Sequence, residues 1–275
     1  MPVLMNGANI ALLCHRCYFN HANQMKPFIS VIMTSHYRAR ELSRALDSAV
    51  SQEFRDFEIV LCTDEGSMDT KQTATEKLRE TDIFVSIPGI KGPAELRNIG
   101  MQLARGKWIC FLDDDDSFNS DYFLNCSKYL IDRSHLYYFN YYKIFGFNEH
   151  TRIANKIEAV DNSFLQSDYL YIGNYIPIGS FFIDKLVARQ HLFDAHLASH
   201  EDWDWMLSLK MREQIQFLHH AAYGLNIFNS DNATRNTSAD RKRMHKEDYA
   251  YIFTKWPSYI GEIEKQRDLI LSEWK

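Results

Sequence analysis

Four aspartates, Asp113 to Asp116, stand in a row directly after the apolar run KWICFL (Lys107 to Leu112). Adjacent anions repel, and burying them unpaired is prohibitive. Such a run is either a solvated turn or part of a site that something positive completes. Asp113 and Asp115 are two residues apart, so on an extended chain they project to the same side. Paired carboxylates with only oxygen to offer suit a hard divalent cation, Mg2+ or Mn2+. Such an ion can neutralise charge developing on a diphosphate as it leaves. Taken alone, the run reads as a solvated turn; its position at a strand end argues against that.

A second acidic pair, Glu201-Asp202, lies in SHEDWDW (Ser199 to Trp205). It can cap a helix N-terminus, an effect of about 0.3–1 kcal/mol, or supply a general base. Trp203, Met206, Leu207 and Leu209 read as the core face of the helix that the pair precedes, with Asp204 expected on its exposed side. Asp64 and Glu65 can accept hydrogen bonds from a base N–H or from ribose hydroxyls, or form a capped turn around Gly66-Ser67. Arg97 follows Gly92-Pro93 at a predicted helix start, where a guanidinium and a helix N-terminus both favour an anion. Its bland alternative is a surface arginine paired along the helix with Glu95 or another neighbour. Arg235, Arg241, Lys242, Arg243 and His245, in NATRNTSADRKRMHK (Asn232 to Lys246), could close over a diphosphate as a lid or belong to a solvated loop.

The elements that must position these residues follow from periodicity. FISVIMT (Phe28 to Thr34), FEIVLCT (Phe57 to Thr63), IFVSI (Ile83 to Ile87) and KWICFL are apolar runs of strand length. Between them, Leu42, Ala45, Leu46 and Ala49 repeat at helical spacing, as do Leu96, Ile99 and Leu103. Strands apolar throughout and alternating with helices imply an α/β chain with a mainly parallel sheet covered on both faces. Ligands bind such sheets outside the carboxyl ends of the strands. Thr34 to Arg38, Asp64 to Ser67 and Asp113 to Asp116 all follow strand ends, so three polar clusters converge on one edge.

Composition narrows the classes. The chain has 275 residues, 45% of them hydrophobic and 14% aromatic, with a net charge of −5. That charge argues against nucleic acid as a partner. No apolar run reaches the ~20 residues of a membrane helix, and the IALL patch (Ile10 to Leu13) lacks the flanks of a signal peptide. Five scattered cysteines fit a reducing cytoplasm. CHRC (Cys14 to Cys17) has the spacing of half a zinc knuckle, but no second pair answers it.

FISVIMTSHYRARELSRALDSAVSQ, FEIVLCTDEGSMDT and GPAELRNIGMQLARGKWICFLDDDDSF together resemble glycosyltransferase family 2, whose fold is called GT-A. IPIGSFFIDKLVARQHLFDAHLASHEDWDWMLSL resembles the family's acceptor-side segment ending in a Glu-Asp pair. The motifs run in order from about Phe28 to Leu209, with Thr34 in place of the usual proline and Asp64-Glu65 in place of a double aspartate. The resemblance implies an inverting transferase that takes sugar from a nucleotide-diphosphate sugar, a UDP-sugar in the first instance. The acceptor would be a hydroxyl of a glycan or lipid-linked molecule in surface polysaccharide or lipopolysaccharide synthesis.

The resemblance also implies roles. Asp115, with Asp113, would hold Mn2+ or Mg2+. Thr34, Ser35, His36, Arg38, Asp64, Glu65, Arg97, Asp113 and Asp114 would contact the nucleotide. Asp202 would be the base, supported by Glu201, with Arg235, Arg243 and His245 as lid candidates. Asn98 would make structural backbone contacts. The expected organisation is an extension over residues 1–27, a GT-A domain over 28–245 and a helical tail over 246–275. Within that domain, residues 28–116 form the nucleotide-binding half and 117–245 the acceptor half. The aromatic tail would pack on the core, dimerise or touch the inner face of a membrane, with packing the default; the oligomeric state stays open. Two other readings are a nucleotidyltransferase and a non-catalytic sugar-nucleotide or glycan-binding module. The missing glycine- and basic-rich loop after the first strand weighs against the former, and a general base against the latter.

Overall fold

The computed structural model describes residues 26–64, 67–90, 92–148, 150–165, 167–197, 199–211, 215–229 and 239–273. The chain alternates β1 (Ile29–Ser35), α1 (Ala39–Val50), β2 (Phe57–Thr63), α2 (Met68–Lys77), β3 (Ile83–Ser86), α3 (Pro93–Leu103) and β4 (Trp108–Asp113). It continues through β5 (Ser117–Phe118), α4 (Tyr122–Ser127), β6 (His135–Phe145), β7 (Lys156–Val160), β8 (Phe181–Asp184) and α5 (Lys185–Ala188). The last elements are α6 (Glu201–Lys210), β9 (Gln216–Asn229), α7 (Ala239–Lys255) and α8 (Gly261–Glu273).

One nine-stranded sheet runs β3-β2-β1-β4-β8-β6-β9-β5, with β7 paired to β6. The first four strands are parallel, as their continuous apolar runs predict. From β8 onward the sheet becomes mixed: β8 lies antiparallel to both β4 and β6, while β9 returns parallel to β6. The chain moves outward from β1 to β3 and then crosses back to β4 on the other side of β1. That reversal opens a crevice between the carboxyl ends of β1 and β4, the usual ligand position in such sheets. Thr34 and Asp113 are register partners there.

Successive residues of a strand point to opposite faces, so each strand feeds two cores. Val31 and Met33 of β1 join Leu42, Leu46 and Phe123 on one face, while Ile32 joins Phe111, Trp203 and Trp205 on the other. Helix α1 buries Leu42, Ala45, Leu46 and Ala49 at the predicted spacing. Helix α3 begins after Gly92, whose φ of 85° is costly for residues with a side chain. Further along α3, Gly100 lets the helix lie directly on β1, where an added Cβ would sit 2.5 Å from Ile32 Cγ2.

The C-terminal segment packs on the second core. Ile252 and Phe253 are buried, and Tyr249 and Trp256 lie against the same cluster, so the default expectation for that segment holds for these residues. Tyr259 stays exposed. Helix α7 spans position 245, at which a boundary between domain and tail was expected. Among the described residues, no helix is long and apolar enough to cross a membrane. Cys62, Cys110 and Cys126 are buried free thiols. Cys14 and Cys17 lie outside the described residues.

Candidate active site

β4 carries the first aspartate to the sheet edge, and the chain then turns, with Asp116 N–H donating to the Asp113 carbonyl at 3.2 Å. The turn undoes the simple alternation of an extended chain. Carboxylate oxygens of Asp113, Asp115 and Asp116 come within 4.8 Å of one another. Asp116 was not among the expected metal ligands. Its signal was adjacency, which strand alternation argued against and the turn restored.

Burial, followed by the repulsion of neighbouring carboxylates, raises the Asp115 carboxyl above its usual range and the Asp116 carboxyl well above it. Asp114 is pushed up to about 6, chiefly by burial, with Arg38 and Ser35 pulling the other way. With Asp113, these two raised carboxyls, Asp115 and Asp116, make three clustered oxygen donors that fit a hard cation, which would stabilise their ionised forms.

The cations already present are specific. Arg38 Nη1 donates to Asp114 at 3.1 Å and to Asp115 at 2.8 Å. Arg44 donates to the Asp115 carbonyl and lies over the Phe228 ring. Neither role of Arg44 is legible locally, because its partners lie 71 and 184 residues away in sequence. His36 Nδ1 is 2.7 Å from Asp64 Oδ1. Thr34 and Ser35 are buried at the end of β1. Glu65 lies outside the described residues.

Arg97 joins the two acidic clusters. Its guanidinium donates to Asp113 Oδ1 at 2.7 Å and to Glu201 Oε1, and only 4% of the residue is exposed. The surface pairing with Glu95 is therefore not its role. The neighbouring Asn98 makes the expected backbone contacts, exchanging two hydrogen bonds with Phe193.

Glu201 and Asp202 form the first turn of α6 rather than preceding it. The turn follows His200, held at φ 60°. Asp202 accepts from Asn174 Nδ2 and from the Trp203 N–H, both at 2.8 Å. Burial and then the Glu201 charge push its carboxyl up to about 7, although Arg97 opposes them. Asn174 precedes the IPIGS loop, and nothing in its own sequence neighbourhood marks it as a partner of Asp202.

The expected exposure of Asp204 is wrong. The residue is 1% exposed and accepts from Lys255 Nζ at 2.9 Å and Trp256 Nε1 at 2.7 Å. Nothing near Asp204 in the sequence announces a partner; only the arrival of α7 supplies those that let it be buried.

Of the lid candidates, Arg243 and His245 fall on α7 and Arg235 lies outside the described residues. The side chains of Arg241 and Lys242 also lie outside the description. The His245 ring is 4.8 Å from that of His200, edge to face.

Comparison with known proteins identifies the family and the fold. Residues 30–192 match the family model described as Glycosyl transferase family 2. A relative from Campylobacter jejuni, named GalNAc(5)-diNAcBac-PP-undecaprenol beta-1,3-glucosyltransferase, is 25% identical over 232 residues, covering 80% of this chain and 71% of that protein. Among solved structures, S. aureus TarS 1-349 in complex with UDP-GlcNAc superposes with a TM-score of 0.61 at 17% identity, covering 90% of this chain and 71% of that one. A Pyrobaculum calidifontis mannosyltransferase in complex with GDP-Man and Mn2+ gives a TM-score of 0.57 at 13% identity, covering 84% and 64%. The family match spans more than half of the chain, its motifs occupy the edge described above, and the fold is that of known sugar transferases: the chain belongs to glycosyltransferase family 2.

Proposed function

We propose that the chain is an inverting transferase that moves a sugar from a UDP-sugar to a hydroxyl of a glycan or lipid-linked acceptor. The observation that carries this reading is the Arg97 bridge, which holds the Asp113 cluster and the Glu201-Asp202 pair at one sheet edge. Asp113, Asp115 and Asp116 would hold Mn2+ or Mg2+. When bound, that ion supplies positive charge that stabilises the departing diphosphate. Thr34, Ser35, His36, Arg38, Asp64, Glu65, Arg97 and Asp114 would contact the nucleotide. Arg235, Arg243 and His245 are the candidates to close over its diphosphate.

The acidic pair divides its labour by environment. Glu201 is ion-paired to Arg97, which fixes it in the orienting role. Asp202, with its proton affinity raised, is the base. The acceptor oxygen bonds to the anomeric carbon as the bond from that carbon to the diphosphate oxygen breaks. The hydroxyl proton passes to Asp202, and the nucleoside diphosphate leaves with the bonding electron pair. One displacement inverts the anomeric carbon. The surface-polysaccharide role, and work at the cytoplasmic face of a membrane, draw support from the undecaprenol-linked acceptor in the relative's name.

Asp202→Asn keeps the size of the side chain and one of its two accepted hydrogen bonds, and removes its basicity. It is expected to bind UDP in Mn2+ normally and to lose turnover by about 10²–10⁴-fold. Parental turnover would remove Asp202 from the role of base, and retention of configuration in the product would exclude a single displacement.

A further inference from the structure

The end of the sheet opposite the carboxylates contains a cleft of about 560 Å³. It opens between the start of β2, the end of α3 and the start of α5, and shares no residue with the proposed transfer site. Six cations line it, Lys26, Arg55, Arg79, Arg105, Lys185 and Arg189, against two carboxylates, Asp56 and Glu58. The whole chain carries a net charge of −5, so this is a local concentration rather than a general basicity.

Pairing accounts for only part of it. Glu58 is buried and neutralises Arg105 at 2.6 Å, while also accepting from Ser30. Arg79 pairs with Asp82 at 2.8 Å. Arg189 donates to the carbonyls of Met101, Gln102 and Ala104, offsetting the negative end of the α3 dipole. Arg55 and Lys185 are held by backbone carbonyls, of Val50 at 3.1 Å and Arg105 at 2.8 Å, which orient a cation without cancelling its charge. Burial first, then Arg189 and Lys26, lower the proton affinity of the Lys185 amine. Residues 1–25, which lead into Lys26, contain no Asp or Glu that could answer this charge.

We propose that the cleft binds a phosphate-bearing anion, independently of the transfer reaction. Fixed arginine forks and a lysine around one cavity are the chemistry that recognises phosphate oxygens. The phosphate would come from a lipid headgroup or from a free phosphorylated molecule.

The test is titration calorimetry with inorganic pyrophosphate in EDTA, which removes metal-dependent binding at the other edge. The parent and Asp115→Ala should bind alike. The double variant Arg55→Ala/Lys185→Ala should bind at least tenfold more weakly, with unchanged circular dichroism and turnover. Should that variant fold poorly, Arg55→Glu, at an exposed position, carries the same expectation. Sedimentation with vesicles of equal parts phosphatidylglycerol and phosphatidylcholine distinguishes the sources. Vesicle binding that pyrophosphate displaces and the double variant lacks identifies a headgroup, whereas pyrophosphate binding without vesicle binding identifies a free anion. No binding of either probe, or equal binding by parent and variant, overturns the proposal.

Discussion

Asp202 shares one helical turn with Glu201, and burial together with that neighbouring charge raises its proton affinity. With its carboxyl at about 7 instead of 3.8, Asp202 would be the base only when deprotonated. The kcat/KM profile should therefore rise with pH and level off above roughly neutrality, a limb that Asp202→Asn should lose. The linked stability effect has a definite sign. Between pH 4 and 7 the folded state retains a proton at Asp202 that the unfolded state has released, so this residue makes stability fall as pH rises through that window. The Tm of Asp202→Asn relative to the parent should accordingly rise between pH 4 and pH 8, on top of the pH-independent cost of the acceptor it loses; a Tm difference that does not change with pH would refute the raised affinity. Arg97 behaves in the opposite way. Its removal leaves Asp113 and Glu201 uncompensated, so Arg97→Ala should weaken UDP binding and also cost about 3–5 kcal/mol of stability, as for other broken buried pairs, measured by urea unfolding.

Helix α6 carries the acidic pair, and α7 holds α6 in place. Lys255 bridges Asp204 to Asp194, and Trp256 donates to Asp204. Asp204→Ala would strand the indole N–H and half of the lysine's pairing, at about 1–3 kcal/mol. The Tm should fall, and kcat should fall with it if α6 shifts; an unchanged Tm would mean that the helices dock through apolar contacts alone. Strand β4 is constrained at its other end. An added Cβ at Gly106 would stand 2.7 Å from Ser30 N and 2.8 Å from the Ile29 carbonyl carbon. Backbone cannot give way as a side chain can, so Gly106→Ala should cost about 1–3 kcal/mol without changing UDP affinity in the folded protein.

For the whole molecule, the proposed metal and donor binding would be coupled to stability through the same carboxylates. Anything that binds the folded state alone raises Tm. Mn2+ should raise it by relieving repulsion among Asp113, Asp115 and Asp116, and UDP should add to that only with Mn2+ present. Asp115→Ala should abolish both increments in a thermal-shift assay. An equal UDP shift in EDTA would show that the nucleotide is held without the metal.

Period and order in the sequence determined the parallel half of the sheet, the helices that cover it and the edge where polar residues gather. Those features are local: an apolar run of seven residues or a four-residue repeat of leucine and alanine is enough to specify its own element. The order β3-β2-β1-β4, and hence the crevice, came from the structure, because alternation alone does not say which strands are neighbours. What the tertiary structure decided was one local turn and every feature with a distant partner. Asp116 joined Asp113 and Asp115 because a turn overrode strand alternation. Asp204 became a buried ion-pair member because α7 arrived 51 residues later to meet it. Asn174 reached Asp202, and Arg97 reached Glu201 across 104 residues. A charged side chain can be buried only where an opposite charge or a hydrogen-bond partner meets it. Its own sequence neighbourhood therefore cannot tell a solvated acid from a buried one; the fold supplies the partner.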